Sequence, residues 1–565
     1  MKLTVGVTGH RDLVADEIPA LKEIVRNFFL QLRNDFPELD LQLITPLAEG
    51  GDRLVTDVAL ELGIDLIVPL PMAQHEYEKD FSSEEEIAIF RDTLERARVI
   101  RLPNLSEGDG QAQKPPDHNR QYAQLGIFIS NHSQVLLALW DGKASTAVGG
   151  TAGVVNYHLT AVMPGCSVAE ESANLLADND NDLAYHVVCS RDRPDGQPAD
   201  GFKPLQTAWV TAHFGSNSTD HMPLDYQDML QRLHDYDLDE ERYQASIERE
   251  SADLLSNAPD MEYPPGVDEI CRQHGVADWL AVHFQKRVFG GLLATHSLAV
   301  FIGLVFILYS EFDGLDYLLS LFLLAFLAGF VVFKIGERRQ WHRKYLDYRA
   351  LAEGLRVQFY WSLAGVIDVK SAVFAYENFL QKQDVDLGWI RHVMRNVSLL
   401  RSRDQVPQEA WLDWVIEEWV GDHADNAGQL SYYRRKELEK AKKFQRTTYL
   451  GRIALWAGIL IAVILALIGK DISEFQRNWL LVMIGIFPLI AGVRDAYSHK
   501  KAEKELIKQY RFMHGVFANA RRLLDSSDDP EFRRRVLRAV GNAALEESAE
   551  WILMHRERPL EHSGL

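Results

Sequence analysis

Two patterns of hydrophobic and polar positions divide the chain. Over residues 1–160, short apolar segments alternate with stretches of three- and four-residue spacing. Leu3–Val7 reads as a strand and Pro19–Phe36 as a helix; Leu41–Leu47 and Arg53–Leu62 repeat the pair. Ile64–Leu70 and Val135–Trp140 (VLLALW) are continuous apolar runs of strand length, with a helical stretch at Glu84–Ala97 before the second. Strand, small-residue turn and helix in repetition predict an α/β fold, a parallel sheet with helices on both faces. Residues 104–119 are polar and Pro-rich and read as a loop. The stretch 165–285 is less regular. It offers a strand at His186–Ser190, a Pro/Gly/Asp-rich linker or loop at Arg191–Lys203, a helix at Tyr226–Asp237 and a strongly acidic segment at Leu238–Glu250.

The back half has long apolar runs instead. They are Phe289–Tyr309, Leu315–Phe333, Leu450–Ile468 and Trp479–Val493. A helix needs about 20 apolar residues to cross the hydrocarbon layer, and the first three come close to that. The fourth is shorter and contains Pro488, which predicts a kink. Between the hairpins, Trp341, Tyr345, Tyr348, Ala352, Leu355 and Phe359 recur at helical steps. They predict that the helix of the second run continues beyond the membrane as a stalk. Trp411, Trp414 and Trp419 lie on a further helical segment and read as packing between helices. Lys436–Thr448 is expected to lead into the third run. Ala502–Leu524 trails the fourth run as the predicted stalk trails the second. The layout suggests a duplicated hairpin with its trailing helix, forming an all-α membrane region with four transmembrane helices and long cytoplasmic helices.

Charge sharpens this division. The chain has 565 residues and a formal net charge of −21. Residues 1–285 hold 21 Lys+Arg against 48 Asp+Glu, whereas 286–565 hold 39 against 33. Acidity of this order argues against duplex nucleic acid as a partner, since phosphate binding needs clustered cations. The linker Ser310–Gly314 has two acids and no base, while Lys286, Arg287, Arg338, Arg339, Lys442, Lys443, Arg494, Lys500 and Lys501 flank the opposite ends of the runs. The positive-inside rule then puts both short linkers outside and both termini in the cytoplasm of a multi-pass inner-membrane protein. No cleaved signal peptide is expected. Cys166, Cys189 and Cys271 show no metal spacing, which predicts a reduced compartment without structural zinc. Charges are nearly absent inside the runs, unlike the intramembrane carboxylates of a transporter. His296 reads as a packing hydrogen bond beside Thr295 or Ser297. Arg349 and Glu353, at i,i+4, read as an ion pair or an interdomain contact.

Three small-residue turns follow strands of the front domain. They contain Thr8, Gly9, His10 and Arg11 in the first, Glu49, Gly50, Gly51 and Asp52 in the second, and Gly149, Gly150 and Thr151 in the third. Glycines let backbone N–H groups approach an anion closely, and Arg11 adds a cation. In a parallel sheet all three turns fall at the carboxyl ends of strands, where open α/β sheets bind ligands. A nucleotide suits them, with phosphates on the turns and sugar hydroxyls on Glu49 or Asp52. Trp140 is a candidate to stack a base, with core packing as the alternative.

Gly6-Val7-Thr8-Gly9-His10-Arg11, Glu49-Gly50-Gly51-Asp52, Pro69-Leu70-Pro71 with Tyr77 and Phe81 downstream, and Gly149-Gly150-Thr151 resemble the SLOG superfamily over about residues 1–160. That Rossmann-like group includes the LOG phosphoribohydrolases and the DNA-processing DprA proteins. The resemblance implies binding of nucleotides or nucleotide-derived molecules on these turns. The LOG motif PGGxGTxxE ends in a catalytic Glu; here Val154 stands near that position, which points to a sensor that binds without turnover. The segment Tyr345–Gln358 (YLDYRALAEGLRVQ) with Trp361 resembles the part of SLATT proteins that lies just after their membrane hairpin. Those are two-transmembrane effectors associated with SLOG domains and with bacterial nucleotide second-messenger systems. They are thought to disrupt membranes in antiviral defence.

The expected organisation is a SLOG-like nucleotide-binding domain (1–165), an extension and linker (166–285), a first transmembrane hairpin (286–336) and a cytoplasmic helical region (337–448). A second hairpin (449–496) and C-terminal cytoplasmic helices (497–565) complete it. The expected function is a homo-oligomeric membrane effector gated by a nucleotide-derived second messenger, with ion leakage through the lipid bilayer as output and no cofactor beyond that ligand. Two alternatives stand beside it: a membrane-tethered nucleotide or N-glycosidic hydrolase with Glu49, Asp52 or Asp141 as acid/base, and a non-catalytic scaffold.

Overall fold

The computed structural model describes residues 2–102, 118–145, 147–163, 182–212, 217–366, 379–380, 385–399, 409–422, 428–469 and 472–556. The expected loop at 104–119 and Cys166 lie largely or wholly outside them. The chain forms two compact units. One comprises residues 1–249, 259–272 and 367–406; the other comprises 250–258, 273–366 and 407–565.

In the first unit the alternating pattern becomes β1 (Lys2–Gly9), α1 (Ile18–Asp35), β2 (Asp40–Ile44), α2 (Gly51–Glu61) and β3 (Asp65–Leu70). Then come α3 (Gln74–Tyr77), α4 (Glu84–Glu95), β4 (Arg98–Arg101), α5 (His118–Asn131), β5 (Val135–Trp140) and α6 (Thr151–Thr160). The sheet continues through β6 (Ala184–Val188), β7 (Thr207–Thr211) and β8 (Asn217–Thr219). Its order is β4-β3-β2-β1-β5-β6-β7-β8. Strands β1 to β6 pair in parallel, and β7 and β8 are added antiparallel. The two central strands are covered on both faces, which is why β1 and β5 read as nearly unbroken apolar runs. Alternation assigns the faces. Ala184 joins Leu136 and Ala138 against α5 and α6, whereas Tyr185, one residue on, stacks on Phe28 of α1 at 4.7 Å.

The acidic segment after residue 237 does not end its helix. α7 runs from Leu224 to Glu250, with Tyr226, Met229, Leu230, Leu233 and Tyr236 buried along one face and the acids mainly on the other.

The helical elements continue with α8 (Val267–Glu311), α9 (Tyr317–Arg338), α10 (Trp341–Ala364), α11 (Gly388–Ser398), α12 (Glu409–Val415), α13 (Gly428–Ile468), α14 (Glu474–Lys500), α15 (Glu503–Leu524) and α16 (Pro530–Arg556). Four of these, α8, α9, α13 and α14, are long and apolar enough to cross a membrane. Only 6–11% of their apolar windows is buried within the chain, so most of that surface suits lipid or other copies. Pro488 sits inside the uninterrupted α14, where Gly458 of α13 packs against its ring. The expected stalk is corrected. α9 stops at Arg338, and Gln340 takes a left-handed conformation (φ 48°, ψ 37°) before α10 begins. The membrane run that is continuous with a long neighbouring helix is the first of each pair, in α8 and in α13.

The second unit repeats its own plan. After the second hairpin, Ala502 adopts φ 48°, ψ 40° at the same point as Gln340. Beyond each break comes a Tyr-Arg pair, Tyr348-Arg349 in α10 and Tyr510-Arg511 in α15. Arg349 lies 3.9 Å from Asp278 of α8, and Arg511 bonds Glu437 of α13 at 2.7 Å. In both copies the returning helix thus pairs with the helix that leads into the membrane.

The core of this unit is aromatic. Trp361 is fully buried and donates its indole N–H to the Leu537 carbonyl at 3.0 Å. Gly541 of α16 makes room for it, since a Cβ there would lie 2.3 Å from the ring. Tyr360 stacks on Trp419 at 5.1 Å, and the buried Trp411 meets Trp414 edge to face at 5.5 Å, so the tryptophans serve packing. Trp361→Ala should cost about 3–5 kcal/mol. The expected sign is a lower thermal midpoint of the detergent-solubilised chain, with loss of hydrogen-exchange protection in α10 and α16.

Candidate functional site

The site grows from the turn after β1, which three neighbours hold. The His10 N–H donates to Leu139 O at the end of β5 (3.1 Å), the Gly51 N–H to His10 O (2.9 Å) and the Thr151 hydroxyl to Gly9 O (2.9 Å). Gly9 and Gly51 meet backbone to backbone: a Cβ on either would lie 2.8 Å from the other's Cα. Gly50 (φ 82°) presses on the carbonyls of His10 and Arg11, and Gly149 (φ 75°) on the start of α5. Gly150 precedes α6, whose N-terminus has no side-chain cap. Its first N–H groups and the positive end of its dipole therefore favour an anion.

These turns enclose a cavity of about 660 Å³ at the carboxyl ends of β1 and β5. The sheet order reverses between those two strands, because the chain runs outward from β1 to β4 and returns to β5 on the other side. Open α/β sheets bind ligands at such a reversal. Thr8, Gly9, His10, Arg11 and Asp52 line the cavity from one side, and Gly149, Gly150 and Thr151 from the other. Glu49, Gly50 and Gly51 do not line it. Glu49 accepts the Ser82 N–H at 2.6 Å, and the two glycines serve the close approach behind the turn. Trp140 also stays outside the lining; its N–H donates to Lys143 O and its ring packs on His186 at 5.2 Å.

Several lining residues carry no local sequence signal. Lys143 follows β5, and Arg191 and Arg193 come from the Pro/Gly/Asp-rich segment. That segment is anchored rather than a free linker. The Ala199 N–H donates to Asp141 O (2.8 Å), Lys143 Nζ to Asp195 O (2.7 Å) and Arg191 Nε to Asp12 (2.8 Å). Tyr77 and Tyr122 contribute rings, and the Tyr122 hydroxyl bonds Asp80. Arg11 interacts electrostatically with both tyrosines.

Burial sets the protonation of the site. It pushes Asp52 up to about 8, outweighing Arg11 and a hydrogen bond from the Gly9 backbone, so the carboxyl is largely neutral at pH 7. Burial also lowers the His10 pKa against the pull of Asp141, whose Oδ1 lies 3.1 Å from the ring, leaving a neutral imidazole. Asp52 Oδ1 and Asp141 Oδ2 are buried without a hydrogen-bond partner among the described residues. Both carboxyls line the cavity, so a ligand with hydroxyl or amino donors would satisfy them. Four cations, Arg11, Lys143, Arg191 and Arg193, suit an anionic group on the same ligand. No group of three or more His, Cys, Asp or Glu among the described residues has the arrangement of a metal site.

No family model matches the chain, and neither does any curated protein or solved structure.

The raised Asp52 pKa makes stability pH-dependent. The folded chain holds this proton up to about pH 8, while the unfolded chain loses it near the ordinary value of 3.8. The contribution is complete below 3.8 and is lost as pH rises through 8. Asp52→Asn removes the loss. Hydrogen exchange at β1 and α2 should show the variant gaining protection over the wild type as pH rises from 5 to 8; a constant difference would contradict the assignment.

Proposed function

We propose that this chain is a membrane effector gated by a nucleotide-derived ligand. The observation that carries the reading is the cavity at the sheet reversal, built from glycine turns, an uncapped helix N-terminus and four cations, in one chain with four apolar helices of membrane-spanning length. Its volume falls within the range of about 300–1,000 Å³ usual for small-molecule sites. Phosphate fits the α6 N-terminus with Lys143 and Arg193, and sugar or base donors fit Asp52 and Asp141. The strand order suits a Rossmann-like domain, in keeping with the resemblance to SLOG sensors, and the repeated hairpin with its trailing helix is in keeping with SLATT effectors.

The basic flanks of the apolar runs favour an inner-membrane protein with both termini in the cytoplasm. Gating requires the ligand to bind the conducting state more tightly than the closed one. Several copies assemble the pore, since four helices exposing nearly all their apolar surface enclose no channel alone. Action in bacterial antiviral defence follows from the two resemblances.

The test is ion flux from liposomes holding the full chain, with a panel of nucleotides added outside. Flux should depend on one of them, and Arg11→Ala with Thr151→Val should abolish it. Arg193→Ala, at a partly exposed position, should weaken binding about tenfold or more. No ligand-dependent flux with any nucleotide would defeat the proposal.

A hydrolase is the second reading, because the largely neutral carboxyl of Asp52 and the carboxyl of Asp141 face the same cavity. Chromatography of nucleotides incubated with the chain decides it. Turnover that disappears in Asp52→Asn would favour the enzyme.

A further inference from the structure

A group of cations that the nucleotide reading does not use lies where α13 approaches the membrane and the chain leaves α14. Lys440 and Lys443 of α13 and Lys501, between α14 and α15, are close enough to act on one another electrostatically. Lys440 and Lys501 are half-buried, and Lys443 is exposed. Among the described residues none of the three forms an ion pair. Two nearby acids act on the cluster electrostatically, Glu439 on Lys440 and Glu503 on Lys501, but their closest contacts lie elsewhere, Glu439 with Lys436 at 3.2 Å and Glu503 with the Ser498 hydroxyl at 2.8 Å. Arg494 is also committed, its guanidinium donating to Thr447 Oγ1 and Thr448 Oγ1 at 2.8 and 2.6 Å.

The level in the bilayer follows from the rings. The Lys501 ammonium lies 4.5 Å from the ring centre of Phe289, the first residue of the first apolar run, and 5.2 Å from that of Tyr497. A tyrosine and a lysine at the end of an apolar run suit the boundary between hydrocarbon and headgroups. Three like charges drawn together there, two of them partly desolvated, outnumber the two acids near them, and a further anion would relieve their repulsion. Burial lowers the Lys501 pKa, and Glu503 only partly opposes it.

We propose that Lys440, Lys443 and Lys501 bind the phosphate of an anionic phospholipid headgroup in the leaflet that meets this end of the α13–α14 hairpin. A phosphate accepts hydrogen bonds from all three ammonium groups, and the acyl chains continue along the lipid-facing helices. The proposal rests on the four apolar helices crossing a bilayer, and it is independent of what the α/β cavity binds.

The test uses the full chain in phosphatidylcholine vesicles, with trace spin-labelled phosphatidylglycerol or phosphatidylcholine as probe. The wild type should immobilise phosphatidylglycerol preferentially, by about fivefold for each lysine engaged. The triple variant K440Q/K443Q/K501Q should lose that preference. K440R/K443R/K501R, which keeps the charge, should retain it, as should the control K334Q/R338Q/R339Q at the other hairpin. Equal immobilisation of both lipids by the wild type overturns the proposal, as does a preference surviving in the glutamine triple. Equal loss in the control would reduce the effect to general surface charge and overturn the site. Abolition by millimolar inorganic phosphate at constant ionic strength would assign the lysines to a soluble anion and overturn the lipid.

Discussion

The backbone contact between Gly9 and Gly51 is the constraint on which the α/β unit's site depends. The turn after β1 can rest on the first residue of α2 only if neither position carries a side chain. That contact leaves Asp52 buried behind the turn, brings Gly51 N–H to His10 O and aims Thr8 through Arg11 along the cavity wall. Thr151 then joins the third turn to the first through a single hydrogen bond. The glycines thus act mainly by letting backbones close on one another. The anion-facing work passes to an uncapped helix and to cations from later in the chain.

A different economy governs the helical unit, where charge is drawn inward. Burial alone would raise the Glu353 pKa; Arg349 and Arg356 beside it outweigh that and hold it below the usual carboxylate range. Asp278 lies 3.9 Å from each of the two arginines. Glu547 is compensated less: burial followed by repulsion from Glu353 pushes it up to about 7, and Arg349 offsets only part of this. A network of this kind contributes little net stability, because desolvation offsets the attraction, yet it penalises any arrangement that strips one charge of its partner. It suits helices that must keep a defined register beside the repeated hairpin.

The internal repeat gives these helices a common logic. Each hairpin is followed by a left-handed break and a return helix whose arginine meets an acid on the leading helix. The copies have diverged at their cores. Glu353 in the first corresponds to Gly515 in the second, so the network's central carboxylate has no counterpart there, and the second copy stacks Tyr433 on Phe517.

Sequence alone determined what short-range physics fixes. The strand–turn–helix rhythm of residues 1–160, the four apolar runs and the duplicated hairpin follow from local periodicity and local hydropathy. The i,i+4 pair Arg349–Glu353 was legible for the same reason, and it forms. Eight of the eleven candidate site residues line the cavity, because a turn at the carboxyl end of a parallel strand has few places to go. Tertiary structure alone decided the rest. Gly50 and Gly51 face a neighbouring backbone and Glu49 faces Ser82, and no local pattern tells such a glycine from one that faces a ligand. Arg191 and Arg193 looked like linker residues because only the pairing of β5 with β6 carries them to the cavity. His296 bonds Leu292 O in its own helix rather than Thr295 or Ser297, and the α9–α10 break at Gln340 falls at a residue with no turn signature. Periodicity records which face of a segment is apolar; which distant backbone that face meets is settled only when the whole chain has packed.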